Sequence, residues 1–172
     1  DFSVRGGGDK TRYNMSVGAN NEGGTTVGTH LNKITLRSSL DYDLSRKLKF
    51  NTDIMYTRYD QDQNYNDNVR SVAYRKMPNL SIYDRDTSNI HYGEYFTPQS
   101  TLQGTAANVY NPVAFANLAW RHTYRDNARA LFTAKYYITP KLIFNSTVTL
   151  DIFDNKIERF QPYKALGYIY SN

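Results

Sequence analysis

The sequence predicts an all-β fold, an antiparallel transmembrane β-barrel with one long loop. Three observations support this: apolar and polar residues alternate, the strands are unusually long, and the connections alternate between short and long. The 172-residue chain is long enough for one domain with a core. It has no run of about 18 apolar residues, so the sequence predicts no transmembrane helix.

Alternation is clearest in residues 33–44, KITLRSSLDYDL. Ile34, Leu36 and Leu40 fall on one side of this stretch, where Ser38 is the only polar residue. A period of two places successive side chains on opposite faces of a strand, so one face is apolar and the other polar. Alternation alone does not tell whether the apolar face contacts a protein core or lipid.

The same period divides the chain into six predicted strands. They are residues 1–5, 11–20, 33–44, 47–59, 126–138 and 141–153. Short turns connect several of these strands, whereas residues 60–125 form a long loop between the fourth strand and the fifth. The alternation fades from Asn155 onwards, which predicts that the chain leaves the sheet there.

Strand length and loop asymmetry favour lipid as the partner of the apolar face. Strands of about ten or more residues exceed the usual five or six, but they suit a tilted crossing of a bilayer. Short turns at one end and long loops at the other are typical of outer-membrane barrels. Such barrels have at least about eight strands, and an open sheet edge is not tolerated in lipid. Six strands are therefore too few for a closed barrel, and the sequence begins inside the first of them. We therefore expect the chain to be a portion of a larger barrel.

A soluble β-sandwich that binds carbohydrate through exposed Tyr and Trp is the alternative fold. It predicts that certain apolar side chains are buried against a second sheet, whereas a barrel leaves them facing outward. The side chains that separate the two folds are Ile34, Leu36, Leu40, Phe50 and Ile54. A passive porin, which is a barrel with an empty lumen, is a third possibility.

Composition argues against several other functions. The net charge is +5, but Lys and Arg are scattered, so no basic stripe predicts binding of nucleic acid. The chain has no Cys, which excludes a disulfide framework and a thiolate metal site. His30, His91 and His122 lie far apart without ligand spacing, so we predict no metal site and no cofactor.

No catalytic motif is present, and we predict that the chain is not an enzyme. It lacks a Gly-Xaa-Ser-Xaa-Gly elbow, and Glu22, Glu94 and Glu158 lie in separate predicted loops without the pairing that glycoside hydrolysis needs. Residues 60–67, DQDQNYND, invite a calcium interpretation, but Tyr65 stands where an EF-hand has Gly. We therefore interpret this stretch as a solvated loop of acidic and amide side chains.

Several short motifs occur in order along the chain. They are GGGDKTRY at 6–13, NEGG at 21–24, VGT at 27–29, LRSSLD at 36–41, KLKF at 47–50, MPNLSIYD at 77–84 and NPVA at 111–114. Together with the hairpin around Pro140, they resemble the SusC/RagA-type TonB-dependent transporters of the Bacteroidetes outer membrane. The resemblance covers about residues 3–154, and its motifs are individually weak but consistent in their order.

The resemblance implies a barrel of about 22 strands, filled by an N-terminal plug and located in the outer membrane. It implies import driven by TonB through that plug, beneath a SusD-like surface lipoprotein, with an oligosaccharide or a peptide as cargo. This chain would supply early barrel strands and one large extracellular loop, because its sequence contains no plug. Membrane lipid and lipopolysaccharide would surround the strands.

The loop of residues 60–125 is the predicted site of binding, because loops of this length are uncommon unless they are functional or disordered. It combines aromatic rings with hydrogen-bonding groups, which suits stacking and polar capture of a sugar or a peptide. The candidate ligand-binding residues are Tyr83, Asp84, Arg85, Asp86, Tyr92, Tyr95, Phe96, Tyr110 and Trp120. The alternative is that most of these rings pack within the loop or against the lipoprotein.

A short helix is predicted inside this loop, at residues 67–76. Its spacing places Val69, Val72 and Ala73 on one side. Pro78 ends the helix, because proline restricts the preceding residue and cannot donate a backbone hydrogen bond.

The two faces of the predicted strands carry further expectations. Charged residues on the polar faces would point into the barrel and pair with a plug, namely Arg12, Arg37, Lys49, Asp53, Arg129, Lys135 and Asp151. On the lipid face, Tyr42, Tyr56 and Tyr136 are placed where barrels carry aromatic girdles.

Overall fold

The computed structural model describes residues 1–65, 69–96 and 110–166. Six strands form one antiparallel sheet in which each strand neighbours the next along the chain. They are β1 (Phe2–Gly7), β2 (Thr11–Gly23), β3 (His30–Asp43), β4 (Leu48–Asn64), β5 (Trp120–Thr139) and β6 (Leu142–Phe160). Two helices, α1 (Val69–Arg75) and α2 (Pro112–Leu118), and a 3-10 helix (Tyr163–Leu166) complete the described elements.

The prediction of an all-β chain is confirmed, and the sheet is open, with β1 and β6 at its edges. Among the described residues, no helix is both long and apolar enough to span a bilayer.

The strand bounds differ from the predicted ones mainly at the ends near the long loop. β4 continues to Asn64 and β5 already begins at Trp120, so both ends of the predicted loop belong to the sheet. β6 continues to Phe160, although the alternation fades from Asn155 and predicted a loop. A ladder is built from backbone groups, so a strand continues beyond the point where its side chains stop alternating.

Glycines permit the tight connection between β1 and β2. The backbone N–H of Gly8 donates to the carbonyl of Thr11 at 2.7 Å. A Cβ added at Gly7 would lie 2.5 Å from that same carbonyl oxygen, so no other residue fits there without a shift. The pairing places Phe2 opposite Val17 and Gly7 opposite Arg12. The triple glycine therefore serves the turn.

Hydroxyl side chains close two further connections. The Oγ of Ser45 accepts hydrogen bonds from the backbone N–H groups of Lys47 (3.2 Å) and Leu48 (3.0 Å). The Oγ1 of Thr139 accepts one from the backbone N–H of Leu142 at 3.1 Å. Each hydroxyl satisfies donors that the reversal of the chain would otherwise leave to water.

The chain divides into two compact units. The first comprises Asp1–Glu22, Leu31–Asp60 and Tyr124–Lys156, and the second comprises Gly23–His30, Gln61–Thr123 and Ile157–Asn172. The first unit consists of paired strands and their short turns. The second contains the helices of the long loop together with the adjoining strand ends.

The apolar face of the first unit is exposed. The side chains that a sandwich would bury have exposed fractions of 47% for Ile34, 44% for Leu36, 38% for Leu40, 37% for Phe50 and 46% for Ile54. The described residues form a single sheet, without a second sheet against this face. The sandwich prediction of burial is therefore wrong for these residues.

The polar face of the first unit carries pairs between neighbouring strands. Lys49 lies 3.2 Å from Asp43, and the Nε of Arg129 donates to Asp151 at 2.5 Å. Both pairs are exposed, so in water each stabilises the sheet only weakly. Lys49, Arg129 and Asp151, which were expected to pair with a plug, therefore have partners within the sheet.

A polar cluster joins β4 to β5. The hydroxyl of Tyr56 donates to the carboxylate of Asp126 at 2.5 Å, and the Nε of Arg58 lies 4.0 Å from the same carboxylate. Tyr56 follows Ile54 by two residues and therefore shares its apolar face. The apolar part of that face thus ends at this cluster.

The second unit has a small core of its own. Val69, Phe115, Ala119 and Ala165 form the buried cluster. The side chains packed against it are Tyr65, Tyr110, Ala116 and Leu118. The rings of Tyr65 and Phe115 meet edge to face with centroids 5.7 Å apart. Burial of these side chains, rather than intrinsic propensity, holds helices of seven residues in place.

The short helix predicted at residues 67–76 corresponds to α1, and residues 67 and 68 lie outside the described residues. Of the three residues that the spacing places on one side, Val69 and Val72 are buried, whereas Ala73 is exposed. In a helix of two turns only one narrow stripe reaches the core, and Ala73 lies beside that stripe. The sequence interpretation placed no helix at α2.

We predict that Ser45→Ala destabilises the β3–β4 turn. Two backbone N–H groups lose their side-chain acceptor, which costs about 1 kcal/mol of unfolding free energy because both stay accessible to water. Equilibrium urea unfolding measures this cost. Ser45→Asp, which keeps an acceptor, is the matched control, and equal losses in the two variants would contradict the assigned role.

Candidate functional site

Residues 82–96 of the second unit form a small hairpin-like segment that contains most of the predicted ligand-binding residues. The backbone N–H of Phe96 donates to the carbonyl of Ile82 at 2.9 Å, and that of Asp84 donates to the carbonyl of Glu94 at 2.8 Å. Between these bonds, Tyr83 pairs with Tyr95 in an antiparallel bridge. We call residues 82–96 the aromatic hairpin.

Asp84 organises the turn of the aromatic hairpin. Its side chain is 5% exposed, and its carboxylate accepts hydrogen bonds from the backbone N–H of Asp86 (2.9 Å) and the Nδ2 of Asn89 (2.8 Å). Its carbonyl accepts a bond from the backbone N–H of Gly93 at 3.0 Å. Gly93 has a φ of +83°, in the left-handed region that glycine tolerates best. Asp84 thus shapes the turn rather than presenting its charge to a ligand.

Asp86 presents its carboxylate to solvent while holding a second small turn. It accepts hydrogen bonds from the backbone N–H (3.0 Å) and the hydroxyl (2.6 Å) of Ser88. These bonds favour the ionised form and hold the pKa of the Asp86 carboxyl below its ordinary value.

The exposed ring of Tyr83 and the half-buried ring of Tyr95 form a stack in the aromatic hairpin. The centroids of Tyr83 and Tyr95 lie 5.2 Å apart with 29° between the ring planes. The hydroxyl of Tyr95 accepts a hydrogen bond from Asn117 at 3.3 Å, and the Tyr83 ring is 47% exposed. Proximity to Tyr95 raises the pKa of the Tyr83 hydroxyl above its ordinary value. A rigid, accessible ring pair of this kind suits stacking against a planar or pyranose ligand face.

His91, Glu94 and Lys164 form a cluster of ionisable side chains at the surface of the second unit. The Nδ1 of His91 lies 2.9 Å from one oxygen of Glu94, and the Nζ of Lys164 lies 3.7 Å from the other. The hydrogen bond from His91 and the charge of Lys164 hold the pKa of the Glu94 carboxyl below its ordinary value.

Asn111 fixes the aromatic hairpin to helix α2. Its Nδ2 donates to the carbonyls of Ile82 and Phe96, each at 2.8 Å. Its Oδ1 accepts from the backbone N–H groups of Val113 (3.0 Å) and Ala114 (3.2 Å), which makes it the N-cap of α2. Four hydrogen bonds satisfy the amide at a position only 5% exposed. One buried side chain therefore joins two segments of the loop.

Pro112 follows this cap as the first residue of α2, where its missing N–H costs nothing and its fixed φ suits the helix. Ala114 and Phe115 face inward, and α2 packs against α1 and the 3-10 helix. Asn111 and Pro112 belong to the NPVA motif of the sequence. An Asn at the N-cap followed by a Pro at the first helical position is a local signal for the start of a helix, and it could have located α2.

A third element of the second unit is the connection between β2 and β3. The backbone N–H of Gly24 donates to the carbonyl of Thr29 at 2.9 Å, and Gly28 adopts a φ of +75°. The guanidinium of Arg70 in α1 donates to the hydroxyls of Thr25 (3.0 Å) and Thr26 (3.2 Å). The glycines of this connection thus serve a turn to which α1 is attached.

The structure brings together seven of the nine predicted ligand-binding residues. Tyr83, Asp84, Arg85, Asp86, Tyr92, Tyr95 and Phe96 all lie in the aromatic hairpin. Of these, Tyr83, Arg85, Asp86 and Tyr92 are exposed, Tyr95 and Phe96 are half-buried, and Asp84 is buried. Ligand contact remains a prediction for all of them.

The other two predicted residues lie elsewhere. Tyr110 stacks on Phe115 of the small core with centroids 4.1 Å apart, as the packing alternative anticipated. Trp120 begins β5, where its ring lies 4.3 Å from that of His122 and 5.8 Å from that of Phe160.

Two histidines that are distant in sequence share one carboxylate. The Nε2 of His30 lies 3.0 Å from one oxygen of Asp62, and the Nδ1 of His122 contacts the other oxygen. The two histidines are far apart in the sequence, and both reach Asp62 because consecutive strands bring β3, β4 and β5 side by side. Each imidazole faces a different oxygen, and the parts of the chain that the structure describes contain no group of three ligands suited to a metal.

The acidic and amide stretch that begins at Asp60 also differs from its predicted form. Residues 60–64 belong to β4 and not to a solvated loop. The carboxylate of Asp62 contacts the imidazoles of His30 and His122. The side chain of Gln63 accepts a hydrogen bond from the guanidinium of Arg121 at 2.5 Å. The polar side chains are used in contacts between strands, which no local sequence signal shows.

Comparison with known proteins gives one consistent result. No protein-family model matches the chain. Three curated proteins of Formosa agariphila align with nearly all of it, and all three are TonB-dependent receptors. The chain is similar to TonB-dependent receptors.

The alignments differ little from one another. TonB-dependent receptor P3 is 26% identical over 175 residues and covers 96% of this chain. Receptors P26 and P39 are each 28% identical, over 171 and 172 residues, and cover 99% and 97% of it. The chain spans 15–16% of the length of these relatives.

We predict that two substitutions of Asn111 separate its two functions. Asn111→Ala removes the cap and the two hydrogen bonds to the part-buried carbonyls of Ile82 and Phe96, which costs about 2–4 kcal/mol of unfolding free energy. Asn111→Asp keeps the cap but places a carboxylate against the carbonyls of Ile82 and Phe96. Hydrogen exchange should therefore accelerate in residues 82–96 in both variants and in α2 mainly in Asn111→Ala.

The control for this pair is Asn117→Ala. Asn117 is exposed and makes a single long bond to Tyr95, so its loss should change the unfolding free energy by less than about 0.5 kcal/mol. Unaltered exchange of residues 82–96 in Asn111→Asp would show that the two carbonyl bonds do not hold the aromatic hairpin.

We predict that Glu94 titrates below the ordinary range of glutamate and that His91→Gln raises its pKa. Because the pKa of the folded state is lowered, the contact contributes stability above the pKa of the unfolded state and is lost as pH falls through that of the folded state. Carboxyl-carbon NMR titration measures the shift. The pKa of Asp86, set by Ser88, should stay unchanged in the same variant.

Proposed function

We propose that this chain forms part of the wall and extracellular rim of a TonB-dependent outer-membrane importer. The observation that carries the proposal is the alignment of three TonB-dependent receptors with 96–99% of the chain. Receptors of this kind are transporters, so the proposed function involves no catalysis by this chain. The structure adds support through the dimensions and polarity of the sheet.

The apolar face of the sheet has the width expected of a membrane-spanning band. On β4 it extends from Leu48 to Tyr56, on β5 from Ala128 to Ile138, and on β6 from Leu142 to Ile152. Tilted transmembrane strands need about 9–11 residues, and these stretches have that length. Charged residues follow at the end towards the long loop, where Arg58 and Asp126 lie.

Exposure of this band is difficult to reconcile with a protein that stays in water. Soluble monomers rarely expose contiguous apolar patches larger than a few hundred Å². Here β6 alone exposes Leu142, Phe144, Val148, Leu150 and Ile152 by 53% or more. Acyl chains are the partner that an outward apolar face of a barrel contacts. The open edges of the sheet would pair with further strands of the same barrel.

The second unit is the proposed extracellular rim. It includes the long connection between β4 and β5, and barrels of this class have their long loops on the outer side. The exposed rings of the aromatic hairpin would meet the cargo or a surface lipoprotein there. We propose a SusC/RagA-type receptor that works with a SusD-like lipoprotein and imports an oligosaccharide or a peptide, energised by TonB acting on a plug.

The apolar band provides a direct test in the full-length protein. Leu36→Arg places a cation on the face proposed to contact lipid. This change should reduce the free energy of unfolding in bilayers by about 2–4 kcal/mol. Ser39→Arg, on the opposite face of β3, should change it by less than about 1 kcal/mol. Urea unfolding in lipid vesicles measures both values. Equal effects of the two variants would contradict a lipid-facing band.

Location tests the proposal independently of stability. The full-length protein should sediment with outer membranes in a sucrose gradient and require detergent for its release. Recovery in the soluble fraction without detergent would contradict the proposed function.

A further inference from the structure

The stacked tyrosines of the aromatic hairpin belong to one face of a short antiparallel ladder. Tyr83 and Tyr95 form its bridge, and Asp84 and Glu94 form the next pair, joined by a backbone hydrogen bond of 2.8 Å. Side chains that follow one another in a paired segment point to opposite faces. The carboxylates of Asp84 and Glu94 therefore lie on the face opposite to the ring stack.

Arg85 lies on the same face as the stack, because it follows Tyr83 by two residues. Its side chain is exposed. Its guanidinium forms no hydrogen bond or ion pair with any residue in 1–65, 69–96 or 110–166. The stack is thus accompanied by a cation whose N–H donors are available to a ligand.

The carboxylates of the aromatic hairpin are engaged elsewhere. Those of Asp84 and Asp86 accept hydrogen bonds from backbone and side-chain donors of the turn. That of Glu94 contacts two side chains that carry N–H groups, on the other face of the ladder. An anion that approaches Arg85 from the side of the rings therefore does not have to displace a carboxylate.

Space is available beside the guanidinium. The ladder places Gly93 opposite Arg85, one pair beyond Asp84 and Glu94. Apart from its chain neighbours, no atom lies within 4 Å of a Cβ added at Gly93. Arg85 therefore faces an open position next to the rings rather than a cross-strand side chain.

A flat ring pair and a guanidinium on one face match the two parts of an acidic sugar. The C–H face of a pyranose packs on an aromatic ring. A carboxylate or a sulfate accepts parallel hydrogen bonds from the planar fork of an arginine. A neutral pyranose would use only the rings, and an acidic peptide side chain would use only the guanidinium.

We propose that this face of the aromatic hairpin binds a pyranose unit that carries a carboxylate or a sulfate. The ring of Tyr83, held by its stack on Tyr95, supports the sugar, and Arg85 pairs with the anionic group. The interpretation of this sugar as cargo rests on the proposed function. Within that function the site narrows the cargo to an acidic oligosaccharide and disfavours a peptide.

The test compares small glycosides on the purified full-length protein, in a detergent without a sugar head group. Methyl β-glucuronide, methyl β-glucoside 6-sulfate and methyl β-glucoside share one ring and differ only at the C6 position. At least one acidic glycoside should bind about threefold to fivefold more tightly than the neutral one, as expected for an exposed charge pair. Saturation-transfer NMR titration measures the affinities, and the preference should shrink at about 0.5 M NaCl.

Three variants locate the site. Arg85→Gln should lower the affinity for the acidic glycosides to that for the neutral one. Tyr83→Leu keeps an apolar side chain but loses the flat ring, so it should weaken all three glycosides by a similar factor. Arg75→Gln is the matched control, because Arg75 is an exposed cation of α1 outside the aromatic hairpin, and all affinities should stay within about twofold.

Several outcomes would overturn the proposal. Equal affinity of the three glycosides in the unaltered protein excludes Arg85 as a partner of an anionic group, and this comparison does not depend on the folding of any variant. Binding of N-acetyl-glutamate as tight as that of the glucuronide identifies an acidic peptide instead of a sugar. Failure of the proposed function is seen separately, in membrane fractionation, and leaves the glycoside affinities unaffected.

Discussion

Pairing of each strand with the next one along the chain is the constraint on which the rest of this structure depends. Because the strands follow one another in the sheet, the period of two within each strand places most apolar side chains on one face. A slip of one residue between neighbours would reverse that arrangement. The tight turns at Gly7–Gly8, Ser45 and Thr139 prevent such slips by fixing where each reversal occurs. Two continuous faces of opposite polarity follow from pairing and turns together.

The same consecutive pairing explains the contacts that connect distant parts of the sequence. His30, Asp62 and His122 lie on three neighbouring strands and therefore meet, although about 30 and 60 residues separate them. The long connection joins β4 to β5, which are neighbours in the sheet, so its two ends start from adjacent strands.

Within that unit, Asn111 has a role that hydrophobic packing alone cannot supply. The core around Phe115 is small. A buried amide with four satisfied hydrogen bonds therefore contributes a large part of what holds the segments of this unit in one arrangement. It attaches the aromatic hairpin to α2, and through this contact it positions the Tyr83–Tyr95 stack. The aromatic hairpin therefore presents its rings and charges on a backbone that hydrogen bonds hold in place.

The sequence by itself determined the strands, because alternation is a local property of side chains and depends on no distant contact. It also determined the turn chemistry at the triple glycine and the apolar side of α1 at Val69 and Val72. Only the tertiary structure decided where β6 ends, that Asp84 turns inward, and that Tyr110 packs on Phe115. Those outcomes depend on which backbone and ring groups are neighbours in space, and residues far apart in sequence become neighbours only when strand pairing brings them together.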